Sequence, residues 1–300
     1  MSMKMIVARV LCLALSCHIC ALGATNTNTR TTAAKKARQA PSKQVSQLKS
    51  FNYELGVAAE SYSYHETQNN EQVMKISGLM YGVQGGITHN VTSSFRHSLN
   101  AAYYTSANTR YDGHVCPNQG GRDQCQPYKA DSSDWFSFAQ YMINPRVQID
   151  DAIIGYNLGA GYRYLFNDVD SISAYRREQH YVYYLLGLDI SAPLSPRVYA
   201  SFMAQYRGLI KGWNKSYATD IGWDYDLSFT QTRGSGYYLA LRGDYKYNRN
   251  SSYFMKIYYE YWNILDSDFQ TAYQNGQSLG SYVEPNNYTH SIGVNVGLAF

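Results

Sequence analysis

The sequence predicts an all-β chain whose strands close into a transmembrane, antiparallel, up-and-down barrel of about ten strands. Three observations predict it. Apolar and polar side chains alternate along many segments, short turns alternate with long connections, and the body of the chain lacks a helical span. A helix needs about 18 apolar residues in a row to cross a bilayer, and none follow the first two dozen residues. Mean hydropathy is negative, which looks soluble. Barrel strands, however, show lipid at every second residue only, so their average misleads. The 31 tyrosines against 7 prolines fit strands that meet two interfaces, because a tyrosine ring is apolar and its tip polar.

The N-terminus reads as a targeting device. Lys4 and Arg9 precede the apolar run Val10 to Cys17, and small residues follow at Ala21, Gly23 and Ala24. That order predicts a signal peptide over 1–24, cleaved after Gly23 or Ala24. Cys17 follows Ala14-Leu15-Ser16 and weakly resembles an acylation site, as Cys20 could; a cysteine inside an apolar signal core is the simpler reading. Residues 25–50 carry Arg30, Lys35, Lys36, Arg38, Lys43 and Lys49, no acids and almost nothing large and apolar. Such a stretch predicts a disordered basic arm, solvated or resting on anionic headgroups or peptidoglycan. The chain has a formal charge of +4, but these six cations and the two of the signal leave residues 51–300 at −4. The basic balance therefore belongs to the arm and not to the barrel. Two cysteines remain, Cys116 and Cys125. An even pair in an exported chain predicts a disulfide, worth about 2–3 kcal/mol for a short loop. No His or Cys pair lies near at ligand spacing, so a metal site is not expected.

The strands read as follows. Tyr53, Leu55 and Val57 oppose Glu54 and Glu60; Leu79, Tyr81, Val83 and Ile87 oppose Gln84 and Thr88. Segments from Phe95 to Ala107 and from Trp135 to Ile143 alternate less tidily. From Ile154, Tyr156, Leu158, Ala160, Tyr162 and Tyr164 face lipid while Asn157, Gly159, Gly161 and Arg163 face inward. Tyr184, Leu186, Leu188 and Ile190 form another apolar edge, and Ala200, Phe202, Ala204 and Tyr206 oppose Ser201, Gln205 and Arg207. Tyr237, Leu239, Leu241 and Tyr245 oppose Tyr238, Ala240, Arg242 and Asp244. Met255, Ile257, Tyr259 and Tyr261 oppose Lys256, Tyr258, Glu260 and Trp262. Turns are expected near 90–93, 144–145, 193–196 and 248–250, with longer connections near 65–74, 108–133, 167–179, 211–231 and 265–286. A soluble sandwich has no reason to alternate them.

The last strand is the cleanest: Tyr288, His290, Ile292, Val294, Val296, Leu298 and Phe300 on one face, small or polar residues on the other. A final strand with Val294, Val296 and Leu298 before a closing Phe300 resembles the assembly signal of Gram-negative outer-membrane proteins. That resemblance implies location in the cell outer membrane with the N-terminus periplasmic. It also implies the barrel-assembly machinery and outer-membrane lipids, lipopolysaccharide included, as partners. The architecture resembles that of the ten-stranded omptin proteases, which pair Asp-x-Asp with Asp-x-His across the mouth. Asp112-Gly113-His114 and Asp224-Tyr225-Asp226 offer the spacing, yet they are swapped between loops and their surroundings match nothing else of that family. The outer-membrane phospholipase run H-x-S-N-G is missing; His89-Asn90-Val91-Thr92-Ser93 departs from it at each informative place. Lipid A-modifying barrels leave His114, His180 and Asp220 as unsupported candidates. No catalytic residue is assigned.

With the lipid faces set, the lumen receives Glu54, Glu60, Arg163, Asp189, Arg207, Arg242, Asp244, Lys256 and Glu260. Ten strands enclose little space, and charges removed from water must be paired. An ion-pair network is therefore expected, centred on Arg242, Asp244, Lys256 and Glu260. It either holds the barrel shut or lines a narrow polar channel. Aromatics at Tyr111, Tyr128, Trp135, Trp213, Tyr217, Trp223, Tyr225 and Phe229 crowd the loop side, as a girdle or a partner surface. No phosphate-binding loop occurs, so neither a cofactor nor nucleic acid is expected. The leading functional expectation is a non-enzymatic barrel whose loops meet host or neighbouring surface molecules.

Overall fold

A computed structural model describes residues 49–69, 71–115, 125–171 and 173–300. Ten long strands form one closed antiparallel barrel: β1 (Phe51–Gln68), β2 (Glu71–Thr92), β3 (Phe95–Ser106), β5 (Gln126–Ile149), β6 (Ala152–Val169), β7 (Arg177–Pro193), β8 (Val198–Ser216), β10 (Gly234–Lys246), β11 (Ser252–Ile264) and β14 (Asn286–Ala299). Each pairs with its neighbours in chain order, and β1 pairs with both β2 and β14, so no edge remains. The seam is locked where Tyr53 and Phe300 exchange both backbone hydrogen bonds, at 2.8 and 2.9 Å. At the opposite end two short strands extend the wall, β4 (Arg110–Val115) between β2 and β5 and β9 (Leu227–Gln231) on β8, and the hairpin β12 (Phe269–Gln274)–β13 (Gln277–Val283) forms a separate two-stranded sheet. One end of the barrel thus has short turns and the other a structured crown.

The barrel is inside out relative to a soluble sheet. Leu55, Val57, Val83, Leu186, Ile257 and Ile292 face outward and are exposed, while Asn157, Arg163, Gln205, Arg207 and Asn295 are buried within. Period two explains both faces, because successive side chains point to opposite sides of a strand. Among the described residues no helix is long and apolar enough to cross a membrane.

Two sequence expectations about connections need correction. The turn placed at Asn144-Pro145 lies at Asp150-Asp151, and β5 runs through the proline. Proline lacks the ladder N–H, and here the Asn144 amide takes over by donating to the Tyr156 carbonyl at 3.0 Å. The stretch 65–74 is not a long loop either: β1 and β2 run on to a tight turn at Asn69, whose φ is 55°.

Candidate functional site

The lumen is organised in three polar layers. Nearest the short turns, Arg242 forks between Glu54 (2.6 Å) and Asp244 (2.9 Å). Its guanidinium lies 4.1 Å over the Phe254 ring. Across the barrel Arg96 meets Asp189 at 3.2 Å, with Asn144 bonded to both. Lys256 donates to the Gln84 side-chain carbonyl at 2.7 Å and has no carboxylate within ion-pair distance among the described residues. A polar cavity of about 360 Å³ lies at this level, lined by Asn52, Glu54, Arg96, Asp189, Arg242 and Asp244.

The middle layer is closely packed, although a cavity of about 120 Å³ that touches Glu54 and Lys256 reaches as far as Arg207 and Tyr238. Glu260 accepts Arg207 at 3.2 Å, lies 3.9 Å from Arg163 and accepts the Trp262 indole N–H at 2.6 Å. Phe136, Tyr238 and Trp262 cover the faces of the two guanidinium groups. Glu60 accepts from the Tyr258 hydroxyl, which also meets the Tyr104 hydroxyl, both at 2.7 Å. Arg163, Arg207, Tyr62, Tyr104, Tyr183 and Trp262 are each no more than 2% exposed. A water-filled path would leave its lining accessible, so the barrel is filled at this height.

The third layer lies at the crown. Arg177 is ion-paired to Glu66 and stands 3.8 Å from Glu284. Tyr64 donates to Glu66 at 2.8 Å, and Gln179 links Tyr64 (2.7 Å) to Glu284 (3.3 Å). Two small pockets, of about 180 and 120 Å³, share Glu66, Tyr175 and Arg177 as their floor. Above them Ala218, Trp223, Leu227, Phe229 and Ala272 form an apolar cluster that ties the crown together.

The nine lumen residues expected from alternation all face inward, but they do not form one network. Arg242 pairs with both Glu54 and Asp244, Glu260 belongs to the layer above with Arg163 and Arg207, and Asp189 pairs with Arg96. Sequence reading missed Arg96, Glu66, Arg177, Gln179 and Glu284. Alternation from Phe95 was untidy, and the other four lay in segments taken as loop.

The acid pairs of the loops are committed elsewhere. Asp224 accepts the Asn275 and Gly276 N–H groups at 2.8 and 2.9 Å and so caps the β12–β13 turn. Asp226 binds Thr219 at 2.7 Å and Lys215 at 3.1 Å, and Asp112 binds Lys129 at 2.7 Å. His114 lines one crown pocket, and its carbonyl accepts from the Tyr111 hydroxyl at 3.5 Å. A bidentate contact with Arg176, both bonds at 2.9 Å, holds the Asp220 carboxyl below the usual range. His180 faces outward, stacked at 5.0 Å on Trp213 and bonded to the Tyr162 hydroxyl at 2.6 Å.

No protein-family model matches the chain, and no curated protein does. Among solved structures it is similar to the outer membrane protease OmpT from Escherichia coli, with TM-score 0.61 and 9% identity over 83% of this chain and 96% of that one. The fold is that of an outer-membrane barrel. At that identity the likeness extends to the fold and no further. Weaker matches are the outer membrane protein OprG from Pseudomonas aeruginosa (TM-score 0.37, 12% identity, 83% and 93% covered) and the translocator domain of autotransporter NalP from Neisseria meningitidis (0.36, 10%, 83% and 89%).

The crown layer holds two carboxylates and one arginine. Burial, with the Glu66 charge adding and Arg177 opposing, pushes the Glu284 carboxyl up to about 8 from an ordinary 4.5. The folded chain therefore holds a proton that the unfolded chain releases, and stability should fall as pH rises from about 4.5 through about 8. The slope for one proton is at most about 1.4 kcal/mol per pH unit. Thermal unfolding in detergent micelles should show this decline, and Glu284→Gln should remove most of it.

Proposed function

We propose that the chain is an outer-membrane protein of a Gram-negative cell, with its short turns and N-terminal side in the periplasm. The barrel is closed to diffusion, and its crown is a surface for interaction with molecules outside the cell. The single observation that carries this reading is the packed middle layer around Glu260, Arg163 and Arg207, with apolar residues outside it. A ten-stranded wall leaves room for side chains and little else, and this one uses aromatic rings to fill it. The ion pairs therefore hold the barrel shut, in preference to the channel reading.

The crown supports a surface role because it is built, not loose. The apolar cluster, the β12–β13 hairpin and the Arg176–Asp220 and Lys215–Asp226 pairs fix its shape. Expected partners are outer-membrane lipids, lipopolysaccharide included, and the barrel-assembly machinery, which the last strand ending in Phe300 would engage. A disulfide between Cys116 and Cys125 is part of the same reading; Cys116 lies outside the described residues. So do the signal peptide and the basic arm up to residue 48.

The experiment is conductance in planar bilayers. The purified barrel should insert and stay electrically silent. Discrete current steps from wild-type protein would show an open path past Glu260 and end this reading.

A further inference from the structure

The outer wall of β1 carries an arrangement that neither the lumen nor the crown uses. Ser63 and His65 stand two apart on the outward face, since Glu60, Tyr62, Tyr64 and Glu66 take the inward positions. The Ser63 hydroxyl lies 2.8 Å from His65 Nε2, and His65 Nδ1 lies 2.9 Å from the Gln72 side-chain carbonyl oxygen. These contacts are mutually consistent in one tautomer. Nδ1–H donates to Gln72, which leaves the Nε2 lone pair facing the serine. A hydroxyl within reach of a base, and the base oriented by a third group, is the arrangement that activates a serine nucleophile.

A local irregularity in the sheet makes this possible. The β1–β2 register shifts between Glu66 and Thr67, so that Gln72 pairs with Thr67 while Met74 pairs with Glu66. Without the bulge, position 72 would fall on the lumen side. Bulges re-aim side chains in this way and recur beside active sites. Tyr288 stacks on the His65 ring at 4.5 Å and 9°, which fixes the ring plane, and His290 lies 5.6 Å away. Lys75 stands opposite His65 in the ladder and puts a cation next to the pair.

We propose that Ser63, His65 and Gln72 form an esterase site on the outside of the barrel, whose substrate is the carboxylic ester of a membrane lipid. The substrate class follows from height on the wall. On the short-turn side of Ser63 the outward residues are apolar: Leu55 and Val57 on β1, Ile292 and Val294 on β14. Toward the crown they become His65, Lys75 and Gln72. The boundary is where a lipid's tail gives way to its headgroup, and there lies its ester. This rests on the proposed membrane location. Ser63 and His65 are each 7% exposed, so the lipid must displace the rings of Tyr288 and His290 to reach them.

The reaction balances without an oxidant or reductant. Ser63 Oγ attacks the ester carbonyl carbon and its proton passes to His65 Nε2. The bond from that carbon to the alcohol oxygen breaks, and the alcohol leaves with the proton. Water then gives a proton to His65 and its oxygen attacks the acyl carbon. The bond to Ser63 Oγ breaks, the proton returns to the serine, and a free acid departs. Lys75 is the cation placed to offset the negative oxygen between steps. Gln72 touches no substrate and is a positioning residue.

The test uses the full chain folded in phospholipid-detergent micelles and a long-chain alkyl fluorophosphonate, which phosphonylates activated serines with loss of fluoride. Peptide mass analysis should place the adduct on Ser63. Ser63→Ala should abolish labelling and release of fatty acid from the phospholipid, while Ser61→Ala on the same face should leave both unchanged. His65→Ala should lower the rate about 10²–10⁴-fold, the usual contribution of a general base. Gln72→Leu should lower it as well, whereas Gln72→Glu keeps an acceptor for Nδ1–H and should restore it. A merely structural role would not separate those two variants. A folded, micelle-bound barrel with unlabelled Ser63, or equal lipolysis in Ser63→Ala, overturns the site and leaves the membrane reading intact. Protein that stays dissolved without detergent overturns the membrane reading itself.

Discussion

Glu260→Ala should destabilise the barrel by about 3–5 kcal/mol, because it strands two buried cations at mid-lumen. Arg163 and Arg207 are each 2% exposed, and Glu260 is the carboxylate that both approach. The rings around them offset part of the charge but cannot replace a carboxylate. Removing one partner of a buried pair costs more than the pair contributes, since the remaining charge has neither water nor counter-ion. The triple variant Arg163→Met, Arg207→Met, Glu260→Leu should recover most of the loss, as apolar side chains of similar volume satisfy the same space. Chemical unfolding in micelles, followed by tryptophan fluorescence, measures both. Equal stability of Glu260→Ala and wild type would mean that water reaches this layer.

Gly297→Val should prevent the barrel from closing. Gly297 lies directly across the seam from Gly56, on the lumen side. A Cβ there would press on the Leu55 carbonyl oxygen and on the Gly56 Cα, both backbone atoms, and lie 2.8 Å from the Phe254 ring. A flexible side chain could give way, but strand backbone fixed by its own ladder cannot. The expected result is loss of the compact, heat-modifiable band in unboiled gels. Gly243→Ala is the control, because a Cβ at Gly243 meets nothing within 4 Å and its band should be unchanged.

Much of this fold is legible in the sequence, and the reason is specific. Alternation tells which side of the wall a residue occupies, so Glu54, Arg163, Arg207 and Glu260 could be placed inside without knowing any neighbour. It does not tell height. Strands are tilted and staggered in a barrel, so residues near one another in sequence order fall into different layers. That is why Glu260 was grouped with Arg242 although it meets Arg163 and Arg207. Strand length was the second blind spot. β1, β2 and β7 run past the apolar band into polar sequence, and Glu66, Gln72 and Arg177 sit on those extensions. Pro145 within β5 shows the same limit from the other side, a turn signal overridden by the flanking ladder. The Ser63–His65–Gln72 group needed two facts that no linear pattern carries: a one-residue bulge and the pairing of β1 with β2.

The seam between β1 and β14 has a consequence for how the chain is made. β1 is the first barrel strand to emerge and β14 the last, yet each needs the other to satisfy one whole side of its backbone. Until synthesis has passed β14, β1 keeps a full row of unmet donors and acceptors beside its apolar side chains. Contacts so distant in sequence also form slowly. The closed wall therefore cannot form until β14 has been made.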